Sequence, residues 1–356
     1  MKRTKNKERT VESYDAREQV NTCYLPILKA KRGELKALTM LKKETKEAIC
    51  PIIELVDGCK DNVGKYLKET WTFEGADIYI DSYILLNETH DDFAKVEEIF
   101  NILWSAGINA IPVIRVDYTD RILNAFKSIL TEGEPISLRV TQEFTIPAYF
   151  DVAIERVKTF FKITSESINL IIDYSFIDRD TVAPTVDSAI TLINHISSEK
   201  FLSVTIAAGS FIKDLSSIIP DTVVNLTRWE WNLRAQLQIS LENADSIRYS
   251  DYATRYPIYE YNAQPYAGSS SIRYTTENGF LILRGQLPSI HPDGMGQYHN
   301  KCGLLIRNPN YDGPAFSLPD TSIEDCANRI ISSGNPEVWV KISTARHIEK
   351  MVHLIV

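Results

Sequence analysis

The sequence predicts an α/β chain: a TIM-type (β/α)8 barrel over residues 21–245, followed by a C-terminal α+β extension over 246–356. Three observations carry this. Eight apolar runs are short and continuous rather than alternating, the pattern of strands buried on both faces. Most begin 24 to 34 residues after the previous one, which leaves room for one helix in each crossover. No G-x-G-x-x-G turn follows any of them, which weighs against an open, doubly wound sheet.

Taken in order, residues 1–20 are polar and crowded with Lys2, Arg3, Lys5, Lys7 and Arg9. They read as a flexible arm, with a basic functional tail as the alternative. The expected strands are YLPIL (24–28), CPII (50–53), DIYI (77–80), IPVI (111–114), ISL (136–138), NLII (169–172), SVTIAA (203–208) and VVNL (223–226). Helices are expected between them. Over 93–104, Phe93, Val96, Ile99, Phe100 and Leu103 share one face, and Gly107 supplies a C-terminal cap. Over 120–130, Ile122, Leu123, Phe126, Ile129 and Leu130 do the same. Stretches 152–161, 186–196 and 233–241 behave alike. From about residue 245 the rhythm breaks. SIRYSDY (246–252), SIRYTT (271–276) and GFLILRG (279–285) read as β-segments of the extension, with Asn278-Gly279 marking a hairpin. The Tyr-, Pro-, Gly- and Ser-rich stretch 256–271 reads as a connecting loop.

Composition narrows the function classes. Of 356 residues, 44% are hydrophobic and 24% charged, as in a globular chain with a sizeable core. The net charge of -8 disfavours non-specific nucleic-acid binding, which needs clustered Lys and Arg. The five cysteines, Cys23, Cys50, Cys59, Cys302 and Cys326, have neither zinc-site nor C-x-x-C spacing and read as reduced thiols. No apolar stretch is long enough to span a membrane, and the basic start lacks the apolar core of a signal peptide, so a cytoplasmic location is expected.

The chemistry lies at the C-terminal end of each apolar run. The runs end in Lys29, Glu54, Asp81, Arg115 (with Asp117), Arg139, Asp173, and Arg228 with Glu230. Only the seventh ends without a charge, in Ala207-Ala208-Gly209-Ser210. In a parallel barrel these positions share the C-terminal mouth, where barrel enzymes place their sites. Lys31 and Glu34, just after the first strand, join the candidate pocket. Lys29, Arg115, Arg139 and Arg228 are suited to a phosphate or other anion. Glu54, Asp81 and Asp173 are suited to a divalent cation; no other metal or cofactor is expected. A structural ion-pair network explains the same charges equally well. His291 and His299 flank a glycine-rich loop at a spacing that fits no common zinc motif. Trp229 and Trp231, with Tyr249, Tyr252, Tyr256, Tyr259 and Tyr261, are expected to fill the seam between barrel and extension, or to meet a partner.

The run YLPILKAKRGELKAL followed by PIIEL resembles the start of the phage beta protein family. The likeness continues through VIRVD (113–117), ISLRV, IIDYSFID (171–178), IRYTT (272–276), LRG (283–285), Tyr298, Trp339 and the His347 region, and so spans roughly 22–356. Where the family carries paired histidines near the end, this chain has Arg346-His347. The resemblance implies a component of an anti-phage defence or toxin-regulating module that binds and restrains a toxic effector encoded alongside. It also marks Arg273, Tyr274, Arg284 and His347 as candidate contacts in the extension. A barrel enzyme acting on a phosphorylated ligand, a nucleotide or nucleic-acid end, is the alternative.

Overall fold

The computed structural model describes residues 24–73, 76–260 and 269–356. The basic arm 1–20, Cys23, Tyr261 and the middle of the expected loop lie outside these. Eight strands form a closed parallel barrel. They are β1 (Tyr24–Lys29), β2 (Ile52–Glu54), β3 (Asp77–Asp81), β4 (Asn109–Arg115), β5 (Ile136–Thr141), β6 (Ile168–Phe176), β7 (Ser203–Gly209) and, after β8 (Val223–Thr227), β9 (Ile247–Asp251). β1 to β7 fall where the apolar runs place them.

The closing strand is the correction. Val223–Thr227 does not complete the barrel. It pairs antiparallel with β11 (Gly279–Arg284), which pairs with β10 (Ser271–Thr275), in a separate three-stranded sheet. Ile247–Asp251, expected in the extension, pairs instead with both β1 and β7. The burial pattern gives the reason. Along β8 exposed and half-buried residues alternate, as on an edge strand, whereas Tyr249, Ser250 and Asp251 are buried. The polar character of β9 is tolerated because its hydroxyls and carboxylate find partners on neighbouring elements.

The helices follow the periodicity: Phe93–Ser105, Asp120–Ile129, Pro147–Phe161, Val182–His195 and Trp229–Ser240. Gly107 takes φ +78° just past the first of them, the left-handed cap its position implies. The hairpin between β10 and β11 forms, but Gly279 lies within β11, where a Cβ would come 2.1 Å from Asn225 Oδ1 on β8. The glycine allows close strand approach there rather than a positive φ.

Inside the barrel Leu25, Ile27, Ile52, Tyr79, Ile111, Val113, Ile171 and Ala207 pack together. Alternate residues face outward into the larger core under the helices. The extension adds helices Gln297–Leu305, Leu318–Ala327 and Pro336–Ile355. The last is capped by the Asn335 side chain accepting from the Val338 amide at 3.1 Å. It is buried almost throughout from Ile342 to Met351, between the small sheet and the barrel. No helix among the described residues is long and apolar enough to cross a membrane.

Candidate functional site

Residues 25, 27 and 29 of β1 share one parity, so the inward face that starts with Leu25 ends at Lys29. The same count brings Glu54, Asp81, Arg115, Arg139 and Asp173 inward at the ends of β2 to β6. Register aligns Lys29 with Glu54, Glu54 with Asp81, and Arg115 with Arg139. Six of the expected mouth residues are therefore together, all buried.

Arg139 is the hub. Its Nη1 donates to Asp81 Oδ2 at 2.6 Å and Glu54 Oε1 at 3.1 Å; its Nη2 donates to Asp173 Oδ2 and the Tyr252 hydroxyl, each at 2.6 Å; its Nε donates to Asp173 Oδ2 at 3.0 Å. The three carboxylates suited to a divalent cation thus converge on a guanidinium. Among the described residues no group of three or more His, Cys, Asp or Glu is placed to hold a metal. Lys29 Nζ lies 3.4 Å from Glu54 Oε2, and Arg115 Nη1 lies 3.5 Å from Asp81 Oδ2. Three cations face three carboxylates, and the ring balances. Asp117 is further out, 3.7 Å from Arg115 Nε.

The charges of the ring hold one another in place. Burial pushes the Asp173 carboxyl up, but Arg139, the Tyr252 hydroxyl and the Ser175 amide outweigh it and leave it below the ordinary carboxylate value. Burial opposes the charge on Arg139, yet Tyr252 and the three carboxylates raise its pKa well above normal. Burial drives the Tyr252 hydroxyl well up, with Arg139 opposing and Asp173 adding.

Tyr252 explains the seventh position. Its ring packs on Gly209, where a Cβ would meet Tyr252 Cδ2 at 2.9 Å and Pro257 Cγ at 2.7 Å. The uncharged end of β7 is the space in which that ring delivers its hydroxyl to Arg139 and Asp173. Lys31 and Glu34 flank the ring. Glu34 Oε2 accepts the Lys29 amide at 2.8 Å and Oε1 faces Arg255 Nε at 3.4 Å. Lys31 Nζ lies 5.0 Å above the Tyr259 ring.

Arg228 and Glu230 do not join this ring, because the strand before them is not in the barrel. They sit on the outer side of β1 and β9, where Arg228 Nε donates to Glu230 Oε1 at 2.8 Å and Nη2 lies 3.9 Å from Asp251 Oδ2. Asp251 also accepts from the Tyr24 hydroxyl at 2.7 Å and bonds His347 Nε2 at 2.9 Å; His347 Nδ1 pairs with Thr275 Oγ1 at 2.9 Å. Thr275, His347 and Asp251 stand in the order of a nucleophile, base and acid. Thr275 and His347 are 0% exposed, however, so the relay ties the last helix to the barrel instead of meeting a substrate. Burial raises the Asp251 carboxyl, but His347, Arg228 and Tyr24 outweigh it and bring it down to about 2.

The other extension candidates scatter. The Tyr274 hydroxyl donates to Asp320 at 2.8 Å beside Arg346, and Arg284 donates to the carbonyls of Ser216 and Ile218. Only Arg273 reaches the mouth, through the Thr254 carbonyl at 2.6 Å. The aromatic group divides too: Trp231 meets Tyr249 edge-on in the seam, Tyr256 packs on Phe176, and Tyr252 and Tyr259 border the mouth. His291 accepts from the Asp293 amide, and His299 Nδ1 bonds the Cys326 carbonyl. Sequence reasoning did not place Tyr252 or Arg255 at the mouth; only the strand order reveals their position.

No curated protein matches the chain. The family model for the Beta protein matches residues 24–353, nearly its whole length and both the barrel and the extension. The chain belongs to the Beta protein family.

Proposed function

We propose that the chain is a binding and regulatory component of an anti-phage defence or toxin-regulating module in the cytoplasm, restraining a toxic effector encoded alongside by direct contact. The observation that carries this reading is an apolar stripe at the start of the Pro147–Phe161 helix, beginning at its N-cap residue Ile146. Ile146, Tyr149 and Val152, at successive three-residue steps, are 55%, 60% and 72% exposed. Isolated surface hydrophobes are ordinary, but an aligned set including a Tyr is the composition of an interface centre. The ring at the mouth fits a structural role, since Arg139 pairs with Asp81, Glu54 and Asp173 while Lys29 and Arg115 pair with Glu54 and Asp81.

Co-expression with the product of the adjacent gene, followed by pull-down, tests this. Wild-type chain is expected to capture the effector and suppress its toxicity. Tyr149→Asp with Val152→Asp is expected to lose both while keeping the wild-type melting temperature. Neither capture nor suppression by the wild type would reject the reading.

A second reading, a barrel enzyme acting on a phosphorylated ligand, draws on one observation. Lys31, Arg255 and Arg273 gather beside the balanced ring with fewer carboxylates than cations. Release of phosphate or of a modified nucleotide, abolished in Lys31→Ala with little loss of stability because Lys31 is exposed, is its expected signature.

A further inference from the structure

At the β1–β9 edge of the mouth, three cations are short of anions among the described residues. Lys31 follows β1, Arg255 follows β9 and Arg273 enters from β10. The carboxylate they share is Glu34, 2% exposed, and both its oxygens are engaged, by the Lys29 amide and by Arg255. The Arg273 guanidinium bonds the Thr254 carbonyl and lies 4.5 Å from the Phe211 ring centroid, neither of which carries charge. Lys29 is committed to Glu54. Three cations against Glu34 leave a surplus of two positive charges (3 − 1). Glu88, which faces Lys31 and is bonded by the Tyr259 hydroxyl at 2.9 Å, reduces it to one when counted.

The local electrostatics point the same way. Burial, and then Arg255, pull Arg273 down to about 9, with Glu34 only partly offsetting them. Burial also pulls Lys31 down; Glu34 opposes, and Arg255 and Lys29 add to the fall. A guanidinium keeps its proton in a protein, so the fall registers the desolvation of a half-buried cation next to a second one, with Glu34 offsetting only part of it.

We propose that Arg255, Arg273 and Lys31 bind the phosphoryl group of a phosphate monoester entering at the barrel mouth between the end of β1 and the segment after β9. Such a group carries roughly −1.5 to −2 charge at neutral pH, close to the surplus. Guanidinium forks match phosphate oxygens in pairs. The inference deepens the enzyme reading by naming the ligand's chemistry, and it requires no turnover.

Calorimetric titration of the full chain with inorganic phosphate, adenosine 5′-monophosphate and adenosine is the test. Phosphate and the monophosphate are expected to bind and adenosine not. Arg255→Gln and Arg273→Gln should each weaken binding about tenfold or more, while Lys200→Gln, at a highly exposed lysine before the start of β7 and so at the other end of that strand from the mouth, should not. Equal affinity for the two phosphates assigns the site to the phosphoryl group alone; tighter monophosphate binding assigns it to a nucleotide. No binding of either, or variants that bind like wild type, overturns the proposal. If Arg273→Gln does not fold, Arg255→Gln and Lys31→Gln decide in the same way. Binding without turnover removes the enzyme reading and keeps the site; an effector that fails to co-purify leaves the titration untouched.

Discussion

Replacing Arg139 by Met removes the hub of the mouth while roughly keeping its apolar bulk. Glu54 retains Lys29 at 3.4 Å and Asp81 retains Arg115 at 3.5 Å. Asp173 loses its cation and keeps only the Tyr252 hydroxyl at 2.7 Å and the Ser175 amide at 2.8 Å. One buried carboxylate is left without a counter-charge, a change that costs about 3–5 kcal/mol. Against a total of about 5–15 kcal/mol, that is a large share. The sign of the pH response should also change. In the wild type Asp173 lies below its ordinary value, so its contribution holds at neutral pH and is lost as pH falls through the folded pKa. In the variant burial acts with little opposition, Asp173 rises above its unfolded value, and stability should fall as pH climbs through that raised pKa. Urea denaturation at a pH below the ordinary carboxylate value and at mildly alkaline pH reads both effects. Adding Asp173→Asn to Arg139→Met should recover most of the loss and remove the pH response. A single variant within about 1 kcal/mol of wild type at both pH values, against that expected cost, would refute the reasoning.

Other outcomes rest on the same geometry. Asp251, at about 2 in the fold against an ordinary 3.8, contributes roughly 2–3 kcal/mol that is fully present above pH ~4 and is lost toward pH ~2. Asp251→Asn should flatten that part of the acid-denaturation profile, and an unchanged profile would contradict the network with His347. Gly209→Val should force the Tyr252 ring from Arg139 and cost about 1–3 kcal/mol by overpacking; a variant as stable as wild type would show that the ring is not held there. Surface changes should be silent by contrast: substitutions at the exposed Lys200 should stay within about 0.5 kcal/mol of wild type in the same urea titration.

Much of this was legible in the sequence. Continuous apolar runs flanked on both sides by helices located β1 to β7, because a strand covered on both faces admits few polar residues. The charged residue at the C-terminal end of each run then placed Lys29, Glu54, Asp81, Arg115, Arg139 and Asp173 on one rim, since parallel barrel strands end at a common mouth. The eighth strand was not legible. VVNL looks more buried than IRYSD, yet β8 is a half-exposed edge strand and β9 is interior. The polar groups of β9 are satisfied by partners distant in sequence: Ser250 Oγ by the Leu25 carbonyl, Asp251 by Tyr24 and His347. Hydrophobic pattern records burial against oil-like surroundings and is blind to such pairing. The same error carried Arg228 and Glu230 into the wrong cluster and hid Tyr252 and Arg255, which reach the mouth only because β9 closes the barrel.

The ionisation of Asp173 tests the central claim most directly, since it reports whether strand-end charges meet and lock one another at the mouth. Carboxyl carbon NMR across acidic pH, in wild type and in Arg139→Met, is the measurement. The side chain should titrate below the ordinary 3.8 in the wild type and above it in the variant. A carboxyl that titrates at the ordinary value in both would contradict the account.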